Sequence, residues 1–274
     1  MPNSKHKLPK IYIGIPSGPR KEYSLLLQLA MLRNLDYPMD RLSINFGVTE
    51  FQLPECQQFT QRIQQLVAAA NFKCPTSIHV TCPNDEELLR WGTYALVVVN
   101  LHKLRLDFLK GDYDYFWVLG GDNIPERGLL KNLLKMDVDV ASPLMAYRPS
   151  RMSKEDRKDK SKAPIVWKYL WTVRDLDRAD LDAETQESLW RAWINIPMTM
   201  HLPATAKIVH NVQFGSGSSL NKRKAMEYAG YYLPKAGYMS EDLNYCQHLN
   251  AWGFDLAVNC ELHCGHFEED GKIY

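Results

Sequence analysis

The segment Tyr115-Phe-Trp-Val-Leu-Gly-Gly-Asp-Asn-Ile-Pro125 decides how the rest of the chain is interpreted. Its first five residues form a continuous apolar run, which is typical of a strand that is buried on both faces of a sheet. The polar pair Asp122-Asn123 follows two glycines, and Pro125 is a favourable first residue for a helix. Because ligands bind beyond the carboxyl ends of strands in open α/β sheets, the segment predicts a ligand-binding carboxylate. The alternative is that Asp122 and Asn123 cap a helix beginning at Pro125.

The first 140 residues alternate short apolar runs with longer stretches of helical periodicity. This alternation is typical of βαβ units and predicts a Rossmann-like, mostly parallel central sheet with flanking helices. The predicted strands are 11–15, 42–48, 76–80, 115–119 and 138–141, and the predicted helices are 23–34, 54–70 and 86–109.

The pattern changes in the segment 147–205, where charged residues, tryptophans and prolines replace the regular alternation. We interpret this segment as an insertion within one domain, 1–274, between a nucleotide-binding half, 1–141, and an acceptor and metal half, 206–274. The second half is predicted to contain a strand at 208–212, a Gly/Ser turn at 215–219, helices at 222–229 and 241–252, a strand near 256–258 and a polar tail.

Composition excludes several classes of protein. Lys and Arg number 33 against 32 Asp and Glu, so the chain as a whole has no strong attraction for nucleic acid or anionic membranes. The apolar runs 11–15 and 94–99 are too short for a signal peptide or a transmembrane helix, which predicts a cytoplasmic protein with no transmembrane segment. The six scattered cysteines favour reduced thiols, and a zinc site near Cys260 and Cys264 lacks a second Cys pair.

Two further motifs carry chemistry. Glu241 and Asp242 follow Ser240 at the start of a predicted helix, where they either favour the helix dipole or supply a general base. His266 follows Gly265 near the end of the chain, where a histidine can be structural or can bind a metal such as manganese.

The order of these motifs resembles that of the GT-A fold glycosyltransferases, and in particular of the broad family-2-like group. Ile15-Pro16-Ser-Gly-Pro-Arg20 matches the Ile-Pro-x-x-x-Arg segment of that group, while its Asp-x-Asp motif stands here as Gly120-Gly121-Asp122. The resemblance implies an α/β fold of GT-A type. It also implies that Asp122 and His266 bind Mn²⁺ or Mg²⁺, and that Asp242, with Glu241 beside it, is the catalytic base. Gly120 departs from the motif, which puts metal affinity and donor choice in question.

The resemblance further implies a hexosyl or related transferase that uses a UDP- or GDP-sugar, with inversion at the anomeric carbon as the expected outcome and retention as the alternative. The residues implied in donor binding lie at the ends of predicted strands and in the Gly/Ser turn: Pro16, Ser17, Arg20, Glu50, Gly121, Asp122, Gly215, Ser216 and Gly217.

The acceptor is left open by the sequence. The segment 148–168 has eight basic and three acidic residues, and Trp167, Tyr169 and Trp171 lie at its end. This combination suits a glycan acceptor or modified bases in nucleic acid, and it is also typical of a solvated loop. Two other functions remain as alternatives: a non-catalytic nucleotide-sugar-binding module, suggested by Gly120, and a nucleotidyltransferase, for which 17–20 is a poor phosphate loop.

Overall fold

The computed structural model describes residues 8–49, 54–82, 93–145, 171–172, 207–210, 212–213, 217–232, 241–267, 269 and 271–273. Glu50, Gly215 and Ser216 lie outside the described residues. So does the segment 148–171 apart from Trp171, and with it the predictions about the acceptor. The division into one domain with an insertion stays a prediction.

The amino-terminal half forms a parallel sheet in the order β3-β2-β1-β4, with helices between the strands. Its elements are β1 (Ile11–Ser17), α1 (Glu22–Arg33), β2 (Leu42–Thr49), α2 (Pro54–Ala70), β3 (Thr76–Thr81), α3 (Thr93–Lys110) and β4 (Tyr115–Leu119). Single-turn 3₁₀ helices at Pro19–Lys21 and Met39–Arg41 precede α1 and β2. The predicted elements of this half are therefore present, with shifts of one or two residues at most ends.

The remaining described elements extend the same sheet. They are β5 (Asn123–Pro125), α4 (Leu129–Leu134), β6 (Val140–Met145), β7 (Trp171–Thr172), β8 (Ile208–His210), β9 (Val212–Gln213), β10 (Ser218–Lys222), α5 (Arg223–Tyr228), α6 (Glu241–Ala251) and β11 (Leu256–His266). The sheet order is β3-β2-β1-β4-β10-β6-β11-β5, with β8 also paired to β11, while β7 and β9 form a separate pair.

Most strands of the large sheet run in one direction. β10 is antiparallel to both β4 and β6, and β11 is parallel to β6, so β6 and β11 have the direction of the first four strands. β5 and β8 run against β11. The predicted α/β class with a mostly parallel sheet and flanking helices is confirmed.

Alternation of side chains along β1 places the core on both faces of the sheet. Ile11, Ile13 and Ile15 pack against residues of α1, α2 and α4 on one face. Tyr12 packs on the other face, in a cluster that includes residues of α3, α5 and α6. Such double burial explains why the strand sequences are continuously apolar. Among the described helices, none is long and apolar enough to cross a membrane.

Pro125 does not begin a helix, contrary to the prediction. Asn123–Pro125 forms β5, which pairs with the end of β11, and α4 begins at Leu129. Proline is tolerated here because β5 is an edge strand and one of its sides needs no backbone donor. The interpretation of Asp122 as a cap for a helix at Pro125 is therefore wrong.

The carboxyl-terminal half differs from the prediction in two other places. Ser218 and Ser219, predicted in a turn, begin the buried strand β10, where the Ser218 hydroxyl accepts a 3.1 Å hydrogen bond from Trp117 Nε1. β11 continues to His266, through residues predicted as a polar tail, and its pairing with β6 is irregular between Asn259 and His263. Strands whose polar side chains are satisfied by neighbours lack the apolar pattern that a sequence prediction needs.

A buried hydrogen-bond chain fixes α6 to the sheet. The Tyr245 hydroxyl donates to Asn221 Oδ1 at 3.0 Å, and Asn221 Nδ2 donates to the carbonyl oxygen of Phe116 at 3.0 Å. The Tyr245 ring also stacks on Tyr231, with centroids 4.6 Å apart. The start of α6 is thereby held at a fixed position relative to β10 and β4.

Substitution Tyr245→Phe should lower the free energy of unfolding by about 1–3 kcal/mol, because it leaves the buried Asn221 oxygen without its donor. Urea unfolding measures this loss. Tyr228→Phe is the matched control, since Tyr228 is 58% exposed. Equal stability of the two variants would show that the Tyr245 hydroxyl does not anchor α6.

Candidate active site at the carboxyl edge of the sheet

Four strands meet at the carboxyl edge of the sheet. β1 and β4 are parallel and end together, with Gly14 opposite Val118. β10 runs the other way and begins at this edge, with Ser218 opposite Leu119. β11 ends here as well, with His266 opposite Asn123. The turn after β4, which contains Asp122, is therefore surrounded by backbone from three other strands.

Two buried polar residues of α1 hold this turn from one side. The Ser24 hydroxyl donates to the carbonyl oxygen of Gly121 at 2.7 Å. Gln28 Nε2 donates to the carbonyl oxygens of Gly120 and Asn123, at 2.7 and 3.0 Å. Because buried carbonyl groups need partners, these side chains satisfy the turn and fix the direction in which it presents Asp122.

The packing around Gly120 explains the departure from the Asp-x-Asp motif. Gly120 N donates to the carbonyl oxygen of Gly217 at 2.7 Å, and the side-chain amide of Asn123 donates to the same oxygen. A Cβ atom on Gly120 would lie 2.8 Å from Asn123 Nδ2. An aspartate at 120 would therefore displace the Asn123 amide, which occupies the place where the first acid of the motif would project.

Asp122 is a nearly buried carboxylate with two basic partners. His266 Nε2 lies 2.8 Å from Asp122 Oδ2, and the Lys21 ammonium donates to the same oxygen. Burial would raise the pKa of Asp122, but the hydrogen bond and charge of His266 together with the charge of Lys21 lower it to about 2. Burial would lower the pKa of Lys21, and the neighbouring Asp122 carboxylate raises it instead. The carboxylate is thus ionised throughout the neutral pH range.

The backbone of β11 delivers His266 to this position. Gly265 is opposite Ile124 in the β5–β11 pairing, and Phe267 N donates to the carbonyl oxygen of Asp122 at 2.9 Å. The Phe267 ring packs against Tyr23 of α1, with centroids 5.8 Å apart. His263, three residues earlier in β11, is exposed, whereas His266 is buried.

The donor atoms of Asp122 and His266 fit a divalent ion. Carboxylate oxygen and imidazole nitrogen are ligand types for such ions, and an ion held by both atoms would replace the proton of the hydrogen bond between Asp122 and His266. Within the part of the chain that the structure describes, no group of three or more His, Cys, Asp or Glu side chains could hold a metal. Two protein ligands suit an ion that takes its remaining ligands from substrate phosphates and water.

Glu241 and Asp242 begin α6, with Glu241 buried and Asp242 partly exposed. Burial, and then the charge of Asp242, raise the pKa of Glu241 to about 8. Its Oε2 atom is buried and has no hydrogen-bond partner among the described residues. Glu241 is therefore protonated at neutral pH, whereas Asp242 is the more accessible of the two carboxyl groups.

The remaining donor-binding candidates lie in different environments. Ser17 is buried at the end of β1, Pro16 and Gly217 are partly exposed, and Arg20 is exposed in the 3₁₀ turn before α1. The carbonyl oxygen of Pro16 would lie 3.0 Å from a Cβ atom on Gly121, so β1 and the turn after β4 are in close contact there. The structure thus brings Pro16, Ser17, Gly121, Asp122, Gly217 and His266 to one edge.

Three site residues were missed by sequence reasoning: Lys21, Ser24 and Gln28. Their spacing of three and four residues places them on one face of α1. Polar residues at that spacing beside the buried positions Leu25 and Leu29 were the available signal, because a buried helix face is expected to be apolar unless it satisfies polar groups.

Substitution Glu241→Gln should change how stability depends on pH. With a folded-state pKa of about 8 against an ordinary value of 4.5, the protonated carboxyl stabilises the fold fully below pH 4.5, and this contribution is lost as pH rises through 8. The Gln variant lacks that loss, so from pH 5 to pH 8.5 the wild type should lose roughly 2 kcal/mol or more relative to it. Urea unfolding at the two pH values is the measurement.

Glu227→Gln, an exposed substitution on α5, is the control for Glu241→Gln. Parallel pH profiles for the wild type and Glu241→Gln would contradict the assignment of a protonated Glu241.

Comparison with known proteins gives matches at the level of structure. No protein-family model matches the sequence. A search of curated proteins finds no match either. The mannosyltransferase PcManGT from Pyrobaculum calidifontis, solved with GDP-Man and Mn²⁺, is 12% identical with a TM-score of 0.50, over 97% of this chain and 59% of that one.

Two other solved structures are similar over most of this chain. A197 from STIV is 12% identical with a TM-score of 0.48, over 96% of this chain and 92% of that one. Staphylococcus aureus TarS 1–349 in complex with UDP-GlcNAc is 11% identical with a TM-score of 0.49, over 93% of this chain and 57% of that one. The chain thus spans under two thirds of the PcManGT and TarS chains. Its sheet and its similarity to PcManGT support a GT-A-like fold.

Proposed function

We propose that this chain, with its GT-A-like fold, transfers a sugar from a nucleotide-diphospho-sugar to an acceptor hydroxyl. The observation that carries the proposal is the ionised Asp122 carboxylate, held beside His266 at the edge where β1, β4 and β11 end. Fold alone does not imply activity, so the proposal depends on the chemistry of this site.

The donor in this proposal is a UDP- or GDP-sugar whose diphosphate lies against Asp122. The similar mannosyltransferase PcManGT was solved with GDP-Man and Mn²⁺. In this chain Asp122 and His266 would hold Mn²⁺ or Mg²⁺, and the diphosphate would supply further oxygen ligands. When bound, the ion would offset the negative charge that develops on the leaving diphosphate.

Asp242 is the proposed general base. A general base must be unprotonated at the working pH. Because its pKa is raised, Glu241 is protonated at neutral pH and is not suited to this role. Asp242, partly exposed at the start of α6, would accept the proton of the acceptor hydroxyl as its oxygen attacks the anomeric carbon. The carbon–oxygen bond to the diphosphate breaks in the same displacement, with inversion of configuration.

The role of Glu241 in this scheme is to position Asp242. As a neutral carboxyl group it places no second negative charge beside the base. The chain from Tyr245 through Asn221 to Phe116 fixes the helix that carries both residues. The orientation of the base therefore depends on buried contacts away from the reacting atoms.

Binding of donors should depend on Asp122. In a thermal-shift screen of UDP-, GDP-, CMP- and dTDP-sugars, one nucleotide class should raise the melting temperature of the wild type in the presence of Mn²⁺. Asp122→Asn should weaken that binding by about tenfold or more, because it removes a charged ligand.

Asp36→Asn is the control for Asp122→Asn, since Asp36 pairs with Lys131 at 2.9 Å in an exposed ion pair. A full Mn²⁺-dependent shift in Asp122→Asn would remove Asp122 from the proposed site. Absence of a shift with every donor in the wild type would count against the function.

Transfer should depend on Asp242 in a different way. Asp242→Asn should retain donor binding and lower turnover by roughly 10²–10⁴-fold, the range for loss of a general base. Hydrolysis or transfer from the donor identified in the screen is the readout. Glu261→Gln, exposed on β11, should have wild-type turnover. Unchanged turnover in Asp242→Asn would exclude Asp242 as the base.

A further inference from the structure

Lys21 lies at the carboxylate proposed to hold a metal ion. Its ammonium group and His266 Nε2 both contact the same oxygen, Oδ2 of Asp122. The side chain of Asp122 is only 10% exposed, so this oxygen is approached from few directions. The lysine therefore occupies a position that a ligand of Asp122 would need.

The backbone of Lys21 is fixed while its side chain is partly exposed. Lys21 N donates to the carbonyl oxygen of Gly18 at 2.9 Å, and the carbonyl oxygen of Lys21 lies 2.7 Å from the Ser24 hydroxyl oxygen. A Cβ atom on Gly121 would lie 3.4 Å from Lys21 Cβ, so the base of the side chain is packed against the turn. The side chain as a whole is 40% exposed, and its four-carbon stem leaves the ammonium group free to change partners.

A divalent ion and an ammonium group cannot favourably share one carboxylate oxygen. Both are cations, and at a nearly buried position their repulsion is weakly screened. Binding of an ion through Oδ2, the Asp122 oxygen that His266 Nε2 also contacts, therefore requires the Lys21 ammonium to leave this oxygen. The displaced group still needs an anionic partner, and a phosphate oxygen is one that lysine commonly binds.

We propose that the Lys21 ammonium pairs with Asp122 in the donor-free protein. When donor and metal bind together, the ammonium leaves Asp122 and pairs with the diphosphate. The second half of this exchange rests on the proposed function. Lys21 then neutralises Asp122 before binding and contributes positive charge to the leaving group afterwards.

The exchange has a measurable cost for binding of the metal alone. If Oδ2 is open for only a fraction of the time, the apparent affinity for the ion is reduced by that fraction. Without a diphosphate, a Lys21 ammonium that leaves Asp122 keeps only its neutral neighbour Tyr23 as a partner, so free Mn²⁺ must compete with Lys21 for the carboxylate. The wild-type protein should bind free Mn²⁺ weakly for this reason.

Substitution Lys21→Met tests the exchange, because it keeps the length of the side chain and removes the charge. Mn²⁺ titrated alone into the protein, followed by electron paramagnetic resonance of the free ion, should show at least about tenfold tighter binding than in the wild type. UDP or GDP titrated in EDTA should bind at least about fivefold more weakly, because the phosphate loses a cation.

Two further variants control the measurement. Lys21→Arg keeps the charge and should leave Mn²⁺ affinity within about threefold of the wild type. Lys131→Met removes the lysine of the exposed Asp36 pair and should change neither titration. Should Lys21→Met not fold, judged by circular dichroism, Lys21→Gln replaces it.

Mn²⁺ binding to Lys21→Met that is equal to or weaker than wild-type binding overturns the proposal, as does the absence of Mn²⁺ binding in both proteins. Tighter Mn²⁺ binding in Lys21→Met supports the exchange at Asp122 even if neither UDP nor GDP binds. In that case the proposed transferase function fails, whereas the competition between Lys21 and the ion for Asp122 stands. Failure of the Lys21 proposal is thus distinguished from failure of the proposed function.

Discussion

A buried negative charge at the end of β4 is the constraint on which the site depends. Asp122 is tolerated there because His266 and Lys21 compensate its charge, each supplied by a different part of the chain. His266 arrives from the last long strand and Lys21 from the first helical turn, so the site requires the whole sheet order to be in place. Removal of either partner would leave a poorly solvated carboxylate, which is costly in a folded protein.

The sheet was largely predictable from sequence because its central strands are buried on both faces. β1 and β4 are nearly continuous apolar runs, β2 alternates apolar residues with Ser43 and Asn45, and the helices between them have clear periodicity, so pattern and structure agree. β5 and β10 were not predictable by the same signal. β5 is a three-residue edge strand with a proline. β10 begins with two buried serines, whose hydroxyl groups accept hydrogen bonds from Trp117 Nε1 and Asn221 Nδ2.

Site residues that belong to a recognisable sequence motif were predicted. Site residues whose role depends on contacts between different helices and strands were not. Asp122 and His266 were expected to act together, and the structure places them in contact. Sequence reasoning missed three polar residues that belong to no motif: Lys21, Ser24 and Gln28. Their common role is visible only in the structure, where α1 lies against the turn after β4. The meaning of Gly120 likewise required the position of the Asn123 amide.

Because β11 pairs irregularly with β6, the direction of the His266 side chain depends on the number of residues in β11. Asn259 is opposite Pro143 and His263 is opposite Leu144, so β11 uses extra residues between two neighbouring positions of β6. Side chains of a strand alternate between faces, and loss or gain of one residue reverses the alternation beyond that point. A single-codon deletion in this stretch would keep every site residue in the gene product and still turn the imidazole away from Asp122. In relatives of this chain, spacing here would therefore be as informative as the histidine itself.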